Sequence, residues 1–477
     1  VQDDFKVNSS LTLNLGLRWE YASPIKEENN QQVNFDINTG ARIEPGGEFG
    51  DGLYDAYYGG FSPRVGFAYT PNDKTVFRGG YGMVQYQEGT GANCRLPLNP
   101  PLFGEFTRPF VGTAGSMSTG FADVSDITNV QLRAWQTDLR PQVTHQWNFF
   151  VERRVTDTTS LSVGYVGSKS NHVVAFSDFN QPLPGVGDPS TWAPFQQRRR
   201  LAPFGITGPV RYTSSDARAN YNGLQASLRR RRANGFEFLA SYTWSKAMGD
   251  NPGFYGPGWG VYSANSPNTG LGGDGNYNSY DKQLDYGPLW FSSRHTASLA
   301  GSYELPIGTG RAIGTDWSGV TQALLGGWNV SAIVTVRSGL PGTTTAGWGP
   351  GSSLQNSGFS FERPDRVEGT DPQTGDSGWD NYLNPAAFKP AAQGTFGNSG
   401  IGIWTGPGYW NVDFSVDKNF QLGGSKYLTF RVEAFNLFNH PNKGMPVRDI
   451  TNTAQFGQIL STANAARVLE FVAKFVF

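Results

Sequence analysis

Apolar and polar side chains alternate strictly along several stretches of about ten residues, the pattern of an extended strand with different surroundings on its two sides. Leu11, Leu13, Leu15, Leu17, Trp19 and Tyr21 fall on one face; Thr12, Asn14, Gly16, Arg18 and Glu20 fall on the other. The rhythm returns in Phe236, Phe238, Ala240, Tyr242 and Trp244, in Trp328, Val330, Ala332, Val334 and Val336, and in Trp410, Val412, Phe414 and Val416. About thirteen strands are predicted, near 1–7, 11–21, 61–70, 75–86, 143–155, 158–168, 221–231, 236–248, 293–305, 327–338, 409–419, 426–438 and 466–477.

A two-sheet sandwich also alternates. Two features favour a closed wall in a membrane. The apolar faces begin or end in Trp, Tyr or Phe, as where a barrel crosses the headgroup level. The connections also alternate in length. Tight links at 8–10, 71–74, 156–157, 232–235 and 421–425, and a longer one at 306–326 with a helical turn at 319–325, separate long segments at 22–60, 87–142, 169–220, 249–292, 339–408 and 439–465. Short periplasmic turns and long extracellular loops are the plan of an outer-membrane barrel. The fold class is therefore all-β, an antiparallel transmembrane β-barrel. Lys418 and Arg230 fall on the apolar face near strand ends, where snorkelling to the interface is expected.

Composition agrees. Charged residues make up 16% of the 477, low for a water-soluble surface, while hydrophobic residues reach only 38%, low for a helical membrane protein. No run of about 18 apolar residues exists, so no spanning helix is expected. A formal net charge of −1 points to no nucleic-acid partner. One cysteine, Cys94, excludes an internal disulfide framework. Single-chain bacterial barrels are usually even in strand number, and the chain opens with Val1 already in a strand; the expectation is that further strands precede it.

Candidate chemistry is sparse. His145, His172, His295 and His440 lack any paired spacing, and no nucleophile elbow or phosphate-binding loop appears, so no catalytic site is expected. Arg18, Glu20, Arg64, Arg78, Glu152, Arg337, Asp413, Asp417, Arg431 and Glu433 are expected to line a wet lumen. Asp274, Asn276 and Asn278, followed by Asp281 and Asp285, place oxygens at alternate positions, as a calcium loop needs, although Ser279 stands where an EF-hand has Gly; a polar surface loop is the competing reading. The basic runs 198–200 and 229–232 are either solvated or in contact with lipid headgroups and lipopolysaccharide phosphate. Trp259, Tyr262, Trp348 and Trp379 in the long loops suit stacking on a sugar or peptide, or plain loop packing.

The terminal strand carries Leu469, Phe471, Ala473, Phe475 and Phe477 on one face. A final aromatic with aromatics spaced by two resembles the signal read by the outer-membrane assembly machinery. The chain as a whole resembles the C-terminal barrel portion of TonB-dependent receptors of the Oar-like kind. The resembling stretches include Leu11-Thr-Leu-Asn-Leu-Gly-Leu-Arg-Trp-Glu-Tyr, Phe61-Ser-Pro-Arg-Val-Gly-Phe-Ala-Tyr, Phe77-Arg-Gly-Gly-Tyr-Gly and Ser241-Tyr-Thr-Trp-Ser-Lys. The most specific is Phe430-Arg-Val-Glu-Ala-Phe-Asn-Leu-Phe-Asn-His-Pro-Asn. The resemblance implies a barrel of about 22 strands, a plug and a TonB-contacting box outside this sequence, and import of a bulky nutrient. A passive porin and a surface-structural or adhesive barrel are the competing functions.

Overall fold

Strands in hydrocarbon must satisfy every backbone N–H and C=O within the wall, because no water is present to take them. In the computed structural model, which describes residues 1–87, 93–103, 130–185, 187–250, 278–347 and 362–477, the alternating segments do so in one antiparallel ladder. Its strands run in chain order: β1 (Gln2–Lys6), β2 (Leu11–Trp19), β3 (Phe61–Asn72), β4 (Thr75–Tyr86), β5 (Gln142–Arg154), β6 (Thr159–Asp178), β7 (Val210–Ala233), β8 (Phe236–Gly249), β9 (His295–Glu304), β10 (Trp328–Arg337), β11 (Tyr409–Gly423), β12 (Lys426–Phe435) and β13 (Val468–Val476). Each neighbours the next, with no crossover. Among the described residues no ladder joins β13 back to β1, so each of these two strands is paired along one side.

Register decides which side chains share a face. Across β9, β10 and β11, Leu299, Val334 and Val412 stand in line, as do Gly301, Ala332 and Phe414; one residue along, Ser298, Thr335 and Asn411 form the opposite row. The apolar rows continue through Val416–Val432–Phe471 and Phe420–Leu428–Phe475 to the last strand. Phe471, Phe475 and Phe477 thus lie on the apolar face, 70%, 52% and 88% exposed.

The tight links follow from turn chemistry. Asn234 and Gly235 join β7 to β8 with φ of 55° and 77°. That left-handed pair is the two-residue hairpin turn whose twist matches antiparallel strands. The predicted helical turn is present as α1 (Gly319–Leu325), between β9 and β10.

Two elements depart from expectation. The predicted strands at 158–168 and 221–231 are far longer: β6 has 20 residues and β7 has 24. The segment read as loop 169–220 therefore contains a paired ribbon from Asp178–Arg211 down to the wall, with register shifts at Ser214/Ala217 and Ala217/Ala219. Its sequence is polar and irregular because neither side faces lipid, so alternation does not mark it. Outside the lipid, Leu132–Trp135 adds a parallel strand to the start of β7.

The wall's face assignment is directly testable. Val334→Arg, near the middle of β10, puts a cation into the apolar row and should cost about 2–4 kcal/mol of folding free energy in phospholipid vesicles. Thr335→Arg, one residue along, should cost a small fraction of that; equal losses in reversible denaturation would refute the assignment.

Candidate functional site

The polar face gathers the residues expected to line the lumen. Asp417 stands opposite Asn329 and Arg431, Arg337 opposite Thr296 and Tyr409, Arg78 opposite Ala68 and Phe150, and Arg64 opposite Gly16 and Gly82. Local pairs hold many of them: Arg18–Glu20 at 2.5 Å, Arg78–Glu152 at 3.6 Å and Arg431–Glu433 at 3.4 Å. Asp413 accepts from the Asn411 amide at 2.8 Å and the Asn436 backbone N–H at 2.9 Å, and Asp417 accepts from Asn329 at 3.1 Å. The Arg337 guanidinium lies 5.0 Å over the Tyr409 ring. Exposed pairs of this kind contribute only about 0–1 kcal/mol each to stability. Their effect is a hydrated surface of mixed sign, suited to a polar solute.

Sequence reasoning missed the densest part of this surface. Arg232 donates to Glu304 at 2.6 Å, Glu237 at 2.7 Å and Ser302 at 3.1 Å, and Arg311 reaches Glu304 at 3.1 Å. Arg232, Ser302, Glu304 and Arg311, with Asn329, Asp417 and Arg431, bound a cleft of about 580 Å³. The run 229–232 looked uniform in sequence. A bulge between Arg230 and Ala233 resets the parity of β7, however, so Arg232 joins the polar side while Arg230, opposite Phe238, stays on the apolar one.

The outer loops are folded bodies. Buried apolar clusters form from Val33, Phe35, Leu132 and Val210, from Leu53, Leu96, Trp135 and Phe176, and from Leu383, Phe388, Trp404 and Ile459. Three buried asparagines cross-link these segments by satisfying backbone groups that would otherwise be orphaned. Asn34 donates to the carbonyls of Leu53 and Trp135 and accepts from the Trp135 N–H at 2.7 Å. Asn99 donates to Val33 and Arg133 carbonyls and accepts from the Arg133 N–H at 2.9 Å. Asn180 donates to Ile206 and Gly208 carbonyls and accepts from Leu201 N–H.

These bodies also hold residues singled out by two further expectations. In the basic run 198–200, Arg199 is buried against Asp178 at 3.2 Å, and the half-buried Arg200 is sandwiched 4.1 Å from the Phe179 ring and 4.2 Å from that of Tyr280. Arg198 donates to the carbonyls of Leu183 and Ala193. The candidate calcium loop is described only in part. Asp274 and Asn276 lie outside the described residues; Asn278 accepts from Tyr280 N–H, Asp281 caps the short helix Lys282–Asp285, and Asp285 is buried in an ion pair with Arg363. Each of these three oxygen sets is turned to a different partner. Among the described residues no cluster of three His, Cys, Asp or Glu side chains could hold a metal. Trp259, Tyr262 and Trp348 lie outside the described residues; Trp379 is exposed, with the Lys443 ammonium 5.3 Å over its ring.

The Asn34 cross-link sets a measurable threshold. Asn34→Ala leaves buried peptide groups of Leu53 and Trp135 unpaired, at about 1–3 kcal/mol apiece. Limited proteolysis of the segment 22–60 should accelerate by at least about tenfold, with no change in the heat-dependent electrophoretic shift that reports the wall.

The sequence matches the family described as outer membrane beta barrel domain over residues 1–470. No curated protein matches it. Solved structures with a similar trace include the ferric-catecholate import receptor Fiu from Escherichia coli K12, 12% identical, covering 99% of this chain and 43% of that one with a TM-score of 0.43. Another is the ferripyoverdine receptor of Pseudomonas aeruginosa, 12% identical, covering 98% and 36% with a TM-score of 0.44. The outer membrane transporter YddB from Escherichia coli is 10% identical, covering 98% and 43% with a TM-score of 0.45. The chain thus spans less than half the length of each. With one uninterrupted antiparallel wall, an apolar band on one face, a hydrated face on the other and a family match across nearly its whole length, the chain belongs to the outer membrane β-barrel family and resides in the bacterial outer membrane.

Proposed function

We propose that this chain is the C-terminal barrel portion of a TonB-dependent receptor that captures a bulky polar nutrient on its outer loops and passes it along the hydrated face. The observation that carries this reading is the folded state of those loops. A passive pore needs only an open polar lumen, whereas here Asn34, Asn99 and Asn180 lock long loops into bodies with apolar cores. Such preorganisation lowers the entropic cost of binding a large ligand. The strand motifs shared with Oar-like receptors support the same assignment. On this reading TonB engages a segment outside this sequence, lipid and lipopolysaccharide surround the wall, and the barrel-assembly machinery reads Phe471, Phe475 and Phe477.

Full-length protein in planar bilayers separates the alternatives. A receptor is expected to give no steady single-channel steps, and uptake by cells should be lost when TonB is removed. Persistent ohmic steps with TonB-independent uptake would move the assignment to a passive channel. Replacement of the terminal aromatic, Phe477→Asp, should lower the fraction of protein reaching the heat-modifiable form in outer membranes while leaving in vitro refolding into vesicles almost unchanged. Equal loss in both assays would instead make Phe477 a stability residue.

A further inference from the structure

The connection between β9 and β10 carries α1 on the periplasmic side, and two side chains hold the C-terminal end of that helix. Lys418 faces Trp328 across the β10–β11 ladder, in the same row as Val330–Val416 and Ala332–Phe414. Both tethering residues therefore occupy lipid-facing positions. The Lys418 ammonium donates to the carbonyls of Gln322 at 3.0 Å, Ala323 at 2.6 Å and Gly326, and Trp328 Nε1 donates to Leu324 O at 2.9 Å. Lys418 is only 4% exposed. It does not snorkel to water, as its sequence position suggested. The negative end of the helix replaces water around the cation, with the rings of Trp328 and Phe420 at 5.5 and 5.0 Å.

Because its tethers point away from the lumen, α1 rests on the outside of the wall at the periplasmic rim. Apart from Thr321, its exposed side chains are apolar: Val320 is 74% exposed, Leu324 61% and Leu325 54%. Val320 and Leu324 lie one turn apart on the same side. Within residues 312–327 the sole charged side chain is Asp316. A seven-residue helix has no independent stability in water, so this one persists through its tethers and its surroundings.

We propose that α1 is an interfacial membrane helix: it lies in the inner leaflet of the outer membrane, with Val320, Leu324 and Leu325 among the acyl chains. The occupant of its apolar side is phospholipid, because that side continues the lipid-facing surface of β10 and β11 without a polar break at Lys418. The helix covers the one cation that would otherwise interrupt the apolar face of β11, and it fixes the depth of the wall in the bilayer.

The test uses full-length protein in which Cys94 (Cys94→Ser) and any cysteine outside this sequence are replaced, carrying a bimane label at a new cysteine. The protein is refolded into phosphatidylethanolamine–phosphatidylglycerol vesicles with or without acyl-brominated phosphatidylcholine. A label at Leu324→Cys should be quenched by the bromolipid to the same degree as one on the wall at Val334→Cys, and shielded from iodide. A label at Thr315→Cys should behave oppositely. Lys418→Met should abolish bromolipid quenching at position 324 and preserve it at position 334. Iodide access at 324 with no bromolipid effect would overturn the proposal and leave the apolar side to a periplasmic protein. Retained quenching in the Lys418→Met protein would overturn the tether. Folding is followed by the heat-dependent electrophoretic shift; if Lys418→Met does not assemble, Trp328→Phe, which removes only the indole donor, replaces it with the same expected loss, reduced in extent.

Discussion

The obligation to pair every peptide group where there is no water shapes this molecule more than any side-chain contact does. It forces neighbouring strands into an unbroken antiparallel ladder, and the ladder in turn forces strict two-residue parity on each strand. Parity then decides chemistry. Asp417 and Arg431 meet on one side while Lys418 and Phe430 meet on the other, although the members of each pair are adjacent in sequence to those of the other. Where the ladder slips, as at Arg230/Ala233, a run of like charges is divided between lipid and lumen.

The same constraint explains where the buried core lies. A wall with lipid outside and solution inside has no enclosed apolar interior, and its large side chains remain exposed in the bare protein, as Leu299 and Trp244 do. Fully enclosed side chains such as Trp135, Leu53 and Leu383 sit in the outer loops instead. The protein thus combines two kinds of solvent exclusion: hydrogen-bonded strand pairing across the membrane, and ordinary apolar packing with satisfied polar cross-links above it. Ion pairs reflect the division. Those on the hydrated face are exposed and interchangeable, whereas Asp178–Arg199 and Asp285–Arg363 are enclosed, so loss of one partner strands a charge.

The wall was legible in the sequence because lipid and water on opposite sides write a two-residue period: all thirteen strands, the tight links and the turn at α1 were readable in it. The outer extension of β6 and β7 was not, since Ser214 and Ser215 are polar yet buried and no apolar period runs through them. The loop bodies were equally hidden. Nothing near Asn34 in sequence indicates that its partner is Trp135, and nothing near Asp285 indicates that it pairs with Arg363. The role of Lys418 depended on a helix ninety-odd residues away meeting it in space. Sequence showed the faces; it could not show which distant backbone groups close on a side chain.

The long β6–β7 ribbon has a mechanical consequence. Crossing the hydrocarbon takes about 9–11 tilted residues, and β7 has 24, so more than half of its length stands clear of the lipid. The loop bodies that share Val210, Phe176 and Leu132 are therefore carried on a mast. The register shifts around Ala217 are where its regular ladder is interrupted, above the membrane. Below that joint the strands are paired residue by residue down to Arg230, so the loop bodies stand beyond the lipid on a support continuous with the seal across it.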